Sequence, residues 1–140
     1  MKILRLRALN INSLKGETVI DFSRWLEANT LFAITGPTGS GKSTILDIIT
    51  CALYGQTPRL KNPNELMSHY CWESLCEVEF EINGQSYRST WTQKRAHKKP
   101  DGKFQSAKMD LVDLKTDKVI VSGSSTVSYT HLTLPTKRIV

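Results

Sequence analysis

The residues of this chain with the clearest chemistry are Gly36-Pro37-Thr38-Gly39-Ser40-Gly41-Lys42-Ser43. They satisfy every fixed position of the phosphate-binding loop pattern G-x-x-x-x-G-K-[ST]. In such a loop the backbone N–H groups converge on phosphate oxygens. The first turn of the following helix adds unpaired donors and the positive end of its dipole. Gly36, Gly39 and Gly41 let the main chain approach the anion. Lys42 supplies a point charge to the β- and γ-phosphates, and the Ser43 hydroxyl is the expected ligand of Mg²⁺. Thr44 is placed to donate to the α-phosphate.

Such a loop needs a strand before it and a helix behind it. Leu31-Phe32-Ala33-Ile34 is an apolar run of strand length. Behind the loop, Ile45, Leu46, Ile48, Ile49, Ala52 and Leu53 recur at helical spacing, and Gly55 is a natural stop. Asp47 lies off the most apolar stripe, which leaves it open between a role at the site and a solvated helix position. Cys51 falls on the apolar face and reads as a buried thiol.

Two strands are expected before the loop: Lys2 to Ala8, and Thr18 to Phe22 after Gly16, with Asn10-Ile11-Asn12-Ser13 as the turn cluster between them. After Gly55, Pro58 and Pro63 break a polar stretch, and Glu65-Leu66-Met67 forms one short helical turn. Cys76 to Ile82 alternates strictly. Asn83-Gly84 is a hairpin turn, and Tyr87 to Gln93 is the returning strand. Ser106 to Asp113 and Lys118 to Val121 form another pair turning at Lys115-Thr116-Asp117. Lys94, Arg95, His97, Lys98, Lys99 and Lys103 make a cationic loop, which is either a solvated tip or a surface that tracks a DNA backbone by releasing counterions. His69 and His97 have no metal-site spacing. Trp72 and Trp91 are expected to pack at the edge of the core.

The net charge of +6 suits a polyanionic partner. No segment has the run of apolar residues a membrane span needs, and the chain opens directly into a strand, so no membrane and a cytoplasmic setting are expected. Three cysteines without metal-site spacing agree with a reducing compartment. Residues 122–140 form a low-information tail. From about Val127 it carries no acid and reads as non-native, and removing Lys137 and Arg138 with it leaves a net charge of +4. The lobe ahead of this tail is then residues 1–121.

The order of these motifs resembles the N-terminal end of the SbcC family, SMC-like ATPases related to ABC-type ATPases. Met1-Lys2-Ile3-Leu4, Asn12-Ser13-Leu14-Lys15-Gly16-Glu17, Ile20-Asp21-Phe22, Leu31 to Lys42, Leu46-Asp47, Ala52-Leu53-Tyr54, Thr57-Pro58-Arg59-Leu60, the Glu77 to Ile82 strand, Arg95-Ala96 and Pro100-Asp101-Gly102 carry the likeness. It covers roughly the first 120 residues. The resemblance implies an α/β P-loop NTPase of ABC/SMC type, with an antiparallel β-meander beside one principal helix. It implies ATP and Mg²⁺ as ligands and a C-terminal lobe of the same full-length chain. It also implies a homodimer of heads, an SbcD-like nuclease subunit and double-stranded DNA as partners, in ATP-dependent cutting of DNA during repair and recombination. In related heads the residues at the first turn reach the nucleotide, which nominates Asn12 and Ser13; an ordinary turn remains the alternative for them. Relatives bind duplex on the upper face of the head dimer, which nominates Lys94, Arg95, Lys98, Lys99 and Lys103.

Several family parts do not occur in these residues: the Q-loop glutamine, the signature motif, the acidic strand end, the long heptads and the zinc-hook cysteines. The chain therefore reads as a truncated first lobe, expected to bind phosphate weakly and to hydrolyse little or nothing. The helix after the loop should then expose part of its apolar surface. Two other classes compete. A small P-loop kinase or GTPase is disfavoured by the two strands ahead of the loop, by the β-rich segment behind the helix and by the lack of N-K-x-D. A non-catalytic DNA-binding domain with a vestigial loop is the third reading.

Overall fold

Alternating cationic and apolar residues in Arg5-Leu6-Arg7-Ala8, and acidic and apolar residues in Cys76-Glu77-Val78-Glu79-Phe80, dictate a sheet with two different faces. A computed structural model describes residues 2–23, 35–37, 41–57 and 63–124. Within these the chain forms β1 (Lys2–Ile11), β2 (Leu14–Asp21), α1 (Lys42–Tyr54), a 3₁₀ turn at Pro63–Leu66, β3 (Glu73–Ile82), β4 (Gln85–Lys94), a 3₁₀ turn at Ala96–Lys98, β5 (Lys108–Asp113) and β6 (Lys118–Ser124). The strands pair antiparallel in the order β2-β1-β3-β4-β5-β6. Among the described residues the expected meander with one principal helix is present.

One face of the sheet carries Leu6, Ala8, Cys76, Val78, Phe80, Trp91, Met109 and Leu111, all buried. Helix α1 lays Ile48, Cys51, Ala52 and Leu53 into the same core. Trp91 is fully buried, deeper than the core edge expected for it. On the opposite face Arg5, Arg7 and Arg88 surround Glu77 and Glu79 at 3.6 to 3.9 Å. Arg7 lies directly across from Glu77, and Arg5 and Arg88 flank Glu79 from the two neighbouring strands. Opposite charges at such register positions each add a few tenths to about 1 kcal/mol and disfavour slipped pairing.

Strand boundaries differ from expectation at several places: β1 runs on to Ile11, β3 starts at Glu73, β4 at Gln85 and β5 at Lys108, and β6 runs on to Ser124, into the segment read as tail. The largest shift is in the second strand. β2 begins at Leu14 rather than Thr18. Gly16, expected ahead of the strand, sits inside it at φ +87°, and its N–H donates to Asn10 Oδ1 at 2.9 Å beside a register shift between Leu9 and Ile11. A glycine accommodates that bulge where a β-carbon would strain it. The Asn83-Gly84 turn behaves as read, with both residues at positive φ. The expected strand at Leu31 to Ile34, the segment Pro58 to Leu60 and the tail from Val127 lie outside the described residues.

Candidate functional site

Helix α1 starts without a side-chain cap. Its N-cap is Gly41 at φ 98°, ψ 8°, and no acidic residue occupies the first turn. That backbone conformation is costly for any residue with a β-carbon. The Ile45 N–H donates to Gly41 O at 3.0 Å. The N–H groups of a helix's first turn have no partner within the helix, and nothing acidic in that turn neutralises its positive end. Lys42 is half-buried and its ammonium donates to the Gly36 carbonyl, so it spans the described parts of the loop. Ser43 is exposed and Thr44 is buried. Gly36 and Pro37 are exposed, while Thr38, Gly39 and Ser40 lie outside the described residues.

The helix is fixed at its other end by the sheet. Gly55 closes it in a left-handed conformation, its N–H donating to Cys51 O at 2.8 Å. The Ser89 hydroxyl, fully buried on β4, donates to Ala52 O at 2.5 Å. A terminal helix carbonyl is thereby satisfied from the sheet. Asp47 corrects one open reading. It is 2 % exposed rather than solvated, and it accepts a hydrogen bond from Thr57 Oγ1 at 2.9 Å. The polar partner arrives from beyond the helix, which helical periodicity alone does not register. Cys51 and Cys76 meet across the helix–sheet contact. Burial pushes the Cys76 thiol well above its ordinary value, and its hydrogen bond with Cys51 adds to the rise. Burial of all three cysteines agrees with the reading of Cys51 as a packed thiol. Leu46 is 60 % exposed, and Ile45 and Ile49 are half-buried, so the far side of α1 carries the exposed apolar surface anticipated for it.

The first turn lies beside the loop. A β-carbon on Gly41 would stand 3.4 Å from Leu14 Cδ2, which places the start of β2 against the helix N-terminus. Asn12, at φ 47°, donates its N–H to Leu66 O at 2.7 Å, and Ser68 Oγ donates to Asn12 O at 2.7 Å. Asn10 is clamped likewise: Ser68 N–H reaches its carbonyl at 2.8 Å, and its side-chain Nδ2 reaches Glu73 O at 3.1 Å. The turn is therefore held by the 66–73 segment as well as by its own strands.

The backbone of the cationic loop is hydrogen-bonded within itself. Ala96 N–H donates to Lys103 O at 2.8 Å, Gly102 N–H to Lys99 O at 2.9 Å, and Gln105 N–H to Lys94 O at 2.8 Å. His97 and Lys98 both take positive φ. A β-carbon on Gly102 would collide with Ala96 O, so only glycine closes the loop. Arg95 differs from the lysines of the loop in that its guanidinium is engaged within it. It stacks 3.9 Å from the centre of the Phe104 ring and donates to Gly102 O at 3.0 Å. Lys94, Lys98, Lys99 and Lys103 are exposed and make no ion pair among the described residues. Sequence reasoning gives Gly102 no structural part and passes over Tyr70, because what singles them out is contact distance and exposure, not residue pattern.

A family description of an AAA domain matches residues 5–135. The chain belongs to that family. An AAA domain is a P-loop NTPase that takes a nucleotide, which agrees with the α/β architecture and with the loop at residues 36–43. The chain is 41 % identical over 143 residues to the SbcC subunit of the SbcCD nuclease of Pseudomonas aeruginosa, covering 88 % of this chain and 12 % of that protein. It is 37 % identical over 122 residues to the SbcC protein of Clostridium acetobutylicum, covering 86 % and 10 %. For that of Deinococcus radiodurans the identity is 39 % over 112 residues, covering 79 % and 12 %. The chain thus spans about an eighth of the length of the curated relatives it matches. The resemblance to SbcC read from the motif order holds, and the kinase or GTPase alternative is not favoured. No helix among the described residues is long and apolar enough to cross a membrane.

Proposed function

We propose that this AAA domain is the ATP-binding first lobe of an SbcC-like protein, working in an ATP-dependent nuclease complex of DNA repair and recombination. The observation that carries the proposal is the uncapped N-terminus of α1. Gly41 is in a left-handed conformation that favours glycine, and Lys42 reaches back to the Gly36 carbonyl. Residues 36–43 would wrap the phosphates. The Lys42 ammonium would leave its backbone carbonyl for the β- and γ-oxygens, and Thr44 would face the α-phosphate. The exposed Ser43 hydroxyl fits Mg²⁺, which when bound neutralises charge on the phosphates. The Leu14–Gly41 contact supports a part for Asn12 and Ser13, which precede Leu14, in contacting the nucleotide.

The remaining parts of the proposal follow from exposed surfaces. Leu46, with Ile45 and Ile49, offers an apolar strip that a C-terminal lobe of the same full-length chain would cover. Lys94, Lys98, Lys99 and Lys103 present four cations to the backbone of double-stranded DNA. A homodimer of heads, an SbcD-like nuclease partner and a cytoplasmic location belong to the same reading, supported by the likeness to the SbcC proteins.

The test is calorimetric titration of Mg·ATP into the intact full-length protein and into its Lys42→Ala variant. A charge-assisted contact is worth about 1.5–3 kcal/mol, so the variant should bind at least about tenfold more weakly. Absence of binding to the unmodified protein, or equal affinity in the variant, would refute the assignment.

A further inference from the structure

Beside the cationic loop stands a residue that packing does not explain. Tyr70 is 86 % exposed and holds φ +65°. A bulky side chain in the left-handed region is a true outlier, and outliers of this kind gather at binding sites. The turn that holds it is pinned to the loop. Arg95 N–H donates to Trp72 O at 2.6 Å, and the Lys98 ammonium lies 6.0 Å from the Trp72 ring. His69 packs its ring 6.5 Å from that of Tyr70. At the far end of the loop in sequence, Phe104 is partly exposed under the Arg95 guanidinium. Aromatic faces and exposed cations therefore share one surface.

That combination has a chemical preference. Cations alone serve any nucleic-acid backbone. An exposed aromatic face adds affinity only where a base face is open to it, and in a continuous duplex every base face is already covered by its neighbours. We propose that the 68–72 turn and the 94–104 loop together take unpaired nucleotides at the end of a DNA strand, with Tyr70 stacking on a base and Lys98 and Lys99 holding the flanking phosphates. This rests on the reading of the loop as a DNA surface and adds to it a choice of single-stranded ends over continuous duplex.

The experiment measures anisotropy of two labelled oligomers bound by the intact full-length protein: a short oligothymidylate, and an abasic strand of equal length that keeps the phosphates but has nothing to stack. The unmodified protein should prefer the oligothymidylate about tenfold. Tyr70→Ala should abolish the preference while leaving abasic-strand affinity and Mg·ATP binding as they were, and Tyr70→Phe should retain it. The paired change Lys98→Ala with Lys99→Ala should weaken both oligomers together. A preference that survives Tyr70→Ala, or no preference in the unmodified protein, overturns the stacking role while the lysine effect still supports the DNA surface. Lysine changes that leave both affinities intact overturn the DNA surface and this inference with it.

Discussion

Replacing Gly102 by alanine tests whether the cationic loop acts through its shape or only through its charge. The substitution changes no charge and lies outside the phosphate site. The added β-carbon would collide with Ala96 O and would stand 3.1 Å from both Ala96 N and Lys99 O, all of them backbone atoms that cannot rotate away. Relief requires the loop to open. Three hydrogen bonds are then at risk: Ala96 N–H to Lys103 O, Gly102 N–H to Lys99 O, and the Arg95 guanidinium to Gly102 O. Two neutral bonds and one charged bond together amount to about 3 kcal/mol of local stability. The sheet does not depend on this tip, so global stability should fall by less. Four exposed lysines engaged at once contribute about −3.6 to the slope of log K against log salt on duplex DNA. An opened loop can no longer align all of them on one backbone. The slope should become shallower by about one to two, and low-salt affinity should drop about tenfold, with Mg·ATP binding unchanged. Amide exchange at residues 96 and 102 reports the opening independently. Faster exchange with unaltered DNA affinity and slope would show that the lysines act as separate solvated charges. Unaltered exchange would refute the packing argument itself.

Two further outcomes follow from the helix–sheet contact. Ser89→Ala removes the hydroxyl that satisfies Ala52 O in a fully buried position, and should cost about 1–3 kcal/mol in urea unfolding; a change under about 0.5 kcal/mol would mean that the helix end finds another donor. The raised Cys76 value makes stability fall as pH climbs from the ordinary thiol value of 9.0 towards the folded one, because the unfolded chain loses its proton first. The expected slope is up to about 1.4 kcal/mol per pH unit, absent below about pH 8 and absent in Cys76→Ala. Chemical denaturation between about pH 7 and 10 checks it, and a Cys76→Ala variant with the same alkaline slope would refute it.

The sheet was legible because both of its faces are written in period two. Arg5-Leu6-Arg7-Ala8 and Cys76 to Ile82 carry the core and the charge ladder in alternate letters, and Asn83-Gly84 admits one turn geometry. The phosphate loop was legible because its chemistry needs fixed residue types at fixed spacing. What stayed hidden depends on contacts between segments far apart in sequence. Asp47 stays open in the sequence, between a site role and a solvated helix position, because its partner, Thr57, lies beyond the helix end. Arg95 looked like one cation among several because nothing local marks the stacking on Phe104. Gly16 reads as a breaker in one dimension. It becomes a strand residue only when Asn10 across the bulge supplies an acceptor.

The position of the two candidate surfaces follows from strand parity. In an antiparallel sheet successive connections alternate between the two ends. The Asn83-Gly84 turn and the 114–117 turn occupy one end. The Asn12-Ser13 turn, the start of β3 at Glu73 and the loop after Lys94 occupy the other. Contact with Leu14 brings the N-terminus of α1 to that second end as well. A continuous line of backbone contacts runs there from Asn12 to Leu66, from Asn10 to Ser68 and from Trp72 to Arg95. The end with long connections holds the start of α1 at Gly41, Tyr70 and the lysines, and the other end holds the two short hairpins. Lengthening a connection at the short-turn end would not bring new chemistry to this site. A change in the 66–72 segment would reach both surfaces, because that segment touches the turn beside the phosphate loop on one side and the root of the cationic loop on the other.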